Sequence, residues 1–308
     1  MNYRGGGRKT FSDGRVYRPE AQRPIGTMKG LKMNGVNRLF GCCFCLAFVL
    51  AAARAEQISL TNGTETCVVD TCGARVLSYV AGGTEVLWNT DVPPSEELPW
   101  QHGGISIAWP WFGRLGKGAA DIHGYAWKSQ FEIKSQCKDS IVLKFETEGL
   151  RLEYSIVLSD GLRLKMRTTC TSAFPQPVGM AFHPYFRVGE RDLSVVEGVY
   201  DKPVSCTNAV DSGVTFEEIR TRKEYLLRDR ARQVAVRIVA TGSTGVNLWN
   251  PGVEKPCPGL LKGDEWRHFF AVEPYARGVN RFMVLSPGQE HELGMTVSVS
   301  GARNRIGS

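Results

Sequence analysis

Residues 56–308 of this chain lack net charge, with 28 Lys and Arg set against 29 Asp and Glu. The formal +7 of the whole chain at pH 7 comes from the first 55 residues, which hold ten basic and two acidic side chains. A body so close to neutrality has no electrostatic footprint for DNA or RNA, and no nucleic-acid partner is expected. The six body cysteines contain no Cys-x-x-Cys and meet no paired histidine ligands, which excludes the zinc patterns; no metal is expected. Also missing are internal repeats, a low-complexity linker and an apolar stripe at helical spacing. Residues 56–308 are therefore read as one β-rich domain.

The leader carries the long hydrophobic run that the body lacks. "LFGCCFCLAFVLAAA" (Leu39–Ala53) follows Lys29, Lys32 and Arg38 and precedes Ala-Arg-Ala, ahead of Glu56. That is the basic region, apolar region and small-residue cleavage pattern of an export signal. A start at Met28 or Met33 gives it ordinary length. Cleavage after Ala55 is expected, making the protein periplasmic or secreted. A membrane anchor built from the same segment is the alternative, although the run is short for a span. Cys42, Cys43 and Cys45 lie in the leader, and Cys67, Cys72, Cys137, Cys170, Cys206 and Cys257 lie in the body. The six body thiols permit up to three disulfides, which a domain this size uses as staples at most.

From Gln57 onward the pattern has period two. In "GLRLKMRTTC" (Gly161–Cys170), Leu162, Leu164 and Met166 alternate with Arg163, Lys165 and Arg167, as in a half-buried strand. "ELGMTVSVS" (Glu292–Ser300) does the same. Further strands are predicted over Ala74–Val80, Phe131–Ser135, Ser140–Thr147, Leu152–Leu158, Gln233–Val239 and Arg281–Leu285, with Gly, Pro, Asn and Asp between them. Glu217–Arg232 has helical composition but is densely charged, and is expected to be a solvated excursion. The sum is an all-β chain, a large antiparallel β-sandwich whose concave face can carry polar side chains.

Five histidines are available for chemistry: His102, His123, His183, His268 and His291. His183 sits in "GMAFHPYFRVGE", where Pro184 fixes φ and removes a donor, so the strand is expected to end at the histidine. Alone it reads first as a satisfied structural histidine, and so does His123 in "ADIHGYAW". Glu273, in "FFAVEPYARG", closes an apolar strand immediately before a proline. Desolvation there favours general-base work, while a salt bridge on an edge strand is the plainer reading. Asp201 and "LWNPG" (Leu248–Gly252) place further polar groups near strand ends.

Taken in order, "GGISIAWPWFG", "HGYAW", "FHPYF", "LWNPG" and "VEP" resemble the glucose-6-phosphate 1-epimerase branch of the aldose 1-epimerase (galactose mutarotase-like) superfamily, from about Gln57 to the C-terminus. The resemblance implies the galactose mutarotase-like supersandwich and an isomerase that interconverts α and β anomers through ring opening. It assigns the general acid at the ring oxygen to His183 and the base at the anomeric hydroxyl to Glu273. His123 is implied as a sugar binder and Asp201 as a holder of a sugar hydroxyl. No cofactor is implied, since only protons move. The expected partner is a small-molecule hexose or hexose phosphate, with no membrane association beyond the leader, and the protein is expected to be a monomer.

Two positions depart from that pattern. The branch usually has an arginine before the Gly-Gly and another after the His-Gly-aromatic-Ala, both gripping the substrate phosphate; here they are His102 and Trp127. A Trp face can pack on a sugar ring but cannot replace bidentate phosphate recognition. Arg114 is a candidate substitute. The substrate is thus expected to be an unphosphorylated sugar, with a non-catalytic carbohydrate-binding domain of the same fold as the alternative.

Overall fold

The computed structural model describes residues 55–93, 102–115, 122–207, 210–215, 223–253, 261–278 and 280–301. The leader with Met28 and Met33, the three leader cysteines, Cys257 and residues 216–222 lie outside them. The first strands are β1 (Gln57–Thr61), β2 (Glu65–Asp70), β3 (Arg75–Ala81), β4 (Thr84–Glu85) and β5 (Ile105–Ala108). The middle of the chain adds β6 (Glu132–Gln136), β7 (Ser140–Thr147), β8 (Leu150–Ser159), β9 (Gly161–Cys170), β10 (Gln176–Val178), β11 (Met180–Pro184), β12 (Phe186–Arg187) and β13 (Ser194–Glu197). The rest adds β14 (Val204–Ser205), β15 (Val210–Thr215), β16 (Glu224–Asp229), β17 (Val234–Thr241), β18 (Gly245–Asn250), β19 (Phe269–Ala276), β20 (Met283–Leu285) and β21 (Glu290–Ser300).

These strands pair antiparallel into two large sheets and a two-stranded one, β10-β20. One runs β1-β2-β3-β5-β11-β19-β18-β15, with β4 beside β3 and β12 beside β19; the other runs β14-β13-β16-β17-β21-β9-β8-β7-β6. The architecture is the all-β antiparallel one that the alternation predicts, and the strand ends agree within a few residues. Leu162, Leu164 and Met166 of β9 are buried, while Arg163 and Lys165 face solvent. Opposite them, Val76, Ile107, Phe182, Leu248 and Val272 of the first sheet belong to the same apolar cluster. Each such side chain stabilises the sandwich by about 1.5–3 kcal/mol relative to exposure. Trp109, fully buried after β5, also donates its indole N–H to Thr168 Oγ1 of β9 at 2.9 Å, a polar link between the sheets.

One expectation fails. Within Glu217–Arg232 the described part is a strand rather than a solvated excursion: Glu224–Asp229 pairs with β13 and β17. Its Tyr225 and Leu227 are fully buried, and Asp229 accepts the backbone N–H of Gly189 at 2.8 Å. The burial has period two, with Tyr225, Leu227 and Asp229 inward and Glu224 and Arg228 outward, and the density of Arg and Glu masks it. The five described body cysteines are free thiols, and burial pushes Cys67 and Cys206 up to about 12. Among the described residues, stability therefore rests on the apolar interior.

Leu164→Ala, in the centre of the second sheet, is expected to destabilise the fold by about 2–5 kcal/mol. Glu153→Ala on the solvent side of β8 should cost less than about 1 kcal/mol. Equilibrium urea unfolding of both variants checks the contrast, and equal losses would refute this placement of the core.

Candidate active site

The outward face of the first sheet is built by strand alternation. On β11, Met180 and Phe182 enter the core, so Ala181 and His183 turn outward; on β19, Phe270 and Val272 enter, so Glu273 and Tyr275 turn outward. β18 presents Asn247 and Trp249, β5 presents Ser106, and β3 presents Arg75 beside the buried Val76. The pairing registers then align these groups. Asn247 pairs with Glu273, His183 with Ser106, and Asp70 with Arg75, while Val76 opposite Ile105 sets Arg75 opposite Ser106. The β11–β19 register likewise sets His183 opposite Glu273. The outcome is one polar row across six strands: Asp70, Arg75, Ser106, His183, Glu273, Asn247.

At the row's centre His183 Nε2 lies 3.1 Å from Glu273 Oε1, with the side chains 12% and 1% exposed. The imidazole is thus reachable from outside while the carboxylate is covered. Asn247 Nδ2 donates to Glu273 Oε2 at 2.8 Å, which fixes the carboxylate plane. Burial, with the charge of His102 second, pushes the His183 imidazole down to about 3. His183 Nδ1 is buried and has no hydrogen-bond partner among the described residues. A bare lone pair costs less there than a bare N–H, so the hydrogen sits on Nε2, the nitrogen beside the carboxylate.

Aromatic rings wall the pair on both sides. Tyr185 stacks on His183 at 5.0 Å between centroids, and Trp249 meets His183 edge-on at 5.5 Å. Tyr185 Oη lies 2.7 Å from His102 Nδ1, holding the second histidine in this wall. On the other side, His123 meets His183 edge-on at 5.2 Å and stacks on Phe112 at 5.3 Å. Gly113 N–H donates to His123 Nδ1 at 3.2 Å, so the neutral ring carries its hydrogen on Nε2 as a donor. Burial with His183 and Arg114 pushes His123 well below its ordinary value, and burial with His123 and Arg75 pushes His102 to about 4. Among the described residues, no three His, Cys, Asp or Glu side chains converge to hold a metal ion.

The structure thus brings together His183, Glu273, His123 and His102, four of the seven residues singled out from sequence. Arg114 is exposed, and its charge reaches His123. Trp127 is placed differently from the sugar-packing role suggested for it. Its indole N–H donates to Ile122 O at 3.2 Å and Gly124 O at 2.9 Å, tying the turn that carries His123. That turn needs the tie: His123 has φ +59°, and a Cβ on Gly124 would lie 2.0 Å from Trp109 O. Asp201 is exposed in the loop that joins β13 to β14 of the second sheet. Asn250 of "LWNPG" is structural, donating to Trp266 O and Phe269 O. Sequence reading missed Arg75, Ser106, Asn247, Tyr185 and Trp249. Asn247 alone left a trace, as a polar residue alternating with Val246 and Leu248.

A family model described as aldose 1-epimerase matches residues 56–298. A relative from Salmonella typhimurium, named "Putative glucose-6-phosphate 1-epimerase", is 27% identical over 224 residues, 65% of this chain and 76% of the relative. A solved structure from the same organism, titled a "putative mutarotase", superposes with a TM-score of 0.65 at 19% identity, covering 80% of this chain and 91% of that one. A galactose mutarotase-like protein from Lactobacillus casei gives 0.62 at 16% identity, covering 80% and 100%. The two structures share this chain's fold.

Neutral histidines in the folded state make stability depend on pH. Unfolded histidine titrates near 6.5, so below that value the unfolded chain binds protons that His102 and His183 refuse, and stability falls with pH. With a folded value of about 4, His102 alone removes roughly 3 kcal/mol between pH 7 and pH 4. Urea midpoints measured from pH 7.5 to 4.5 should decline, and His102→Gln should flatten the decline. A flat wild-type profile would contradict the burial of these imidazoles.

Proposed function

The chain belongs to the aldose 1-epimerase family, and from that premise we propose that it interconverts the α and β anomers of a hexose by acid–base ring opening at His183 and Glu273. It is an isomerase whose reaction moves only protons. The reading rests on the 3.1 Å contact between an accessible imidazole and a covered, Asn-oriented carboxylate. A non-catalytic sugar-binding domain has no use for such a pair.

Glu273 removes the proton from the anomeric O1; the O1–H electrons form the carbonyl, the C1–O5 bond breaks, and O5 takes the proton of the His183 imidazolium. Rotation about C1–C2 presents the other carbonyl face. Closure runs the transfers backward, with Glu273 returning its proton to O1 and His183 taking the O5 proton. The pair ends as it began. Trp249, half-buried and edge-on to His183, offers a ring for the sugar's C–H surface, and the buried Tyr185 backs the histidine from behind. The Salmonella relative's name points to glucose 6-phosphate as one sugar to test.

The working form carries one proton more than the neutral imidazole and carboxylate. With the imidazole pushed down to about 3, that form is minor at neutral pH. Export of the mature enzyme by the leader, with cleavage after Ala55, belongs to the same proposal. Secreted material should begin at Glu56 on N-terminal sequencing, whereas retention of the whole chain in membranes would favour the anchor.

Anomer exchange measured by NMR on glucose, galactose and glucose 6-phosphate tests the reaction. Glu273→Gln and His183→Asn should each lower kcat by about 10²–10⁴-fold with thermal unfolding little changed. The wild-type kcat/KM should rise as pH falls from 8 toward 6, because more of the pair is protonated. Saturable sugar binding without exchange by the folded protein would replace catalysis with the binding-domain reading.

A further inference from the structure

Ring opening needs the pair of His183 and Glu273 charged, yet the sheet buries it where charge is disfavoured. In the working form the imidazole is protonated and the carboxylate is not. Moving that one proton across the 3.1 Å contact, from His183 Nε2 to Glu273 Oε1, gives a neutral imidazole and a carboxylic acid. This second form holds the same number of protons and is idle, because the acid has no place for the O1 proton and the imidazole has none to give O5. Burial favours the idle form, since two neutral groups cost less there than two charges. It also pushes the His183 imidazole down to about 3. Turnover therefore needs a group that binds the carboxylate better than the acid.

Asn247 is such a group. β18 carries it between Val246 and Leu248, both in the core, so its amide turns outward, and the β18–β19 register sets it directly across from Glu273. Only the Nδ2 end of the amide can donate to a carboxylate, and Nδ2 reaches Oε2 at 2.8 Å with both residues buried. A donor aimed at Oε2 binds the ionised carboxylate more tightly than the acid. It also keeps Oε2 as an acceptor, which leaves Oε1, the oxygen beside His183, to take up a proton. The titratable and charged groups around the pair act on its histidine: His102 is felt by His183, His123 meets it edge-on at 5.2 Å, and Arg75 and Arg114 act on those two. Arg277 lies over the Tyr275 ring at 4.5 Å. We propose that Asn247 is a positioning residue that decides where the pair's proton sits, favouring the imidazole and keeping Glu273 ionised as the base. Its effect on turnover rests on the ring-opening reading, whereas its effect on the proton does not.

Two measurements on the full-length wild type, Asn247→Leu and Asn247→Ser keep these effects apart. The first follows Glu273 by carbon NMR of glutamate-labelled protein, its signal identified by loss in Glu273→Gln. Asn247→Leu removes the donor at similar volume, so Glu273 should take up its proton about one to two pH units higher than in the wild type. That is a roughly ten- to hundred-fold gain in proton affinity, the scale of a lost hydrogen bond to a charge. Asn247→Ser keeps a donor of shorter reach and should fall between the two; it also serves where the leucine variant does not fold. The second measurement is anomer exchange against pH. Asn247→Leu should match the wild-type kcat/KM within a few-fold at pH 8, then stop rising about one to two pH units before the wild type does, because the idle form accumulates. A loss equal at every pH is what a merely structural residue gives, and it overturns the proposal, as does an unmoved Glu273 midpoint. If the wild type exchanges no sugar, the ring-opening reading fails and the Glu273 midpoint alone decides this one. A raised midpoint in Asn247→Leu then supports it, and an unmoved one overturns it.

Discussion

Everything at the candidate site depends on strand register. Six side chains meet in one row because β2, β3, β5, β11, β19 and β18 each stop at a fixed offset from a neighbour. A slip of one residue in any of them would turn its polar group into the apolar interior and bring a core residue out. The apolar pattern on the other face sets the offsets: Val69, Val76, Ile105, Phe182, Val272 and Leu248 enter a single cluster. Core packing and site geometry are two readings of one alignment, and the hydrophobic effect holds the spacing of His183 and Glu273.

That origin explains why so costly a pair survives in the middle of a sheet. A carboxylate with 1% exposure is expensive unless hydrogen-bonded. Glu273 meets the cost with Asn247 on one oxygen and His183 beside the other, both supplied by flanking strands. Pro184 and Pro274 lie directly beyond the pair and help to open the ladder there, since neither carries a backbone donor. The imidazole edge is thereby left facing outward. The site is rigid because it is built on strands, and His123 alone among its histidines depends on a tied, left-handed turn.

How much of this was legible in the sequence depended on whether a residue broke its local pattern. His183 and Glu273 did, each ending an apolar run at a proline, and the all-β fold was visible in alternations such as Gly161–Cys170. Arg75 did not, because a charged residue opening a strand looks like any solvent-facing position; only the pairing of Val76 with Ile105 places it in line with the histidine. Trp127 shows another limit: its indole N–H serves backbone carbonyls, an arrangement set by a tight turn that no period reveals. Glu224–Asp229 was masked by its charges, although Tyr225 and Leu227 carry the period once the partners are known.

Because every member of the row comes from a different strand, the face resembles a line of type in which each letter can be changed alone. Residues at the two ends are separated by well over a hundred positions in the chain, and no shared loop couples them. A change at Arg75 leaves the spacing of His183 and Glu273 in place, since other strands fix it. Such a face separates the inheritance of a reaction from the choice of its substrate, and lets related chains diverge in what they bind while keeping how they act.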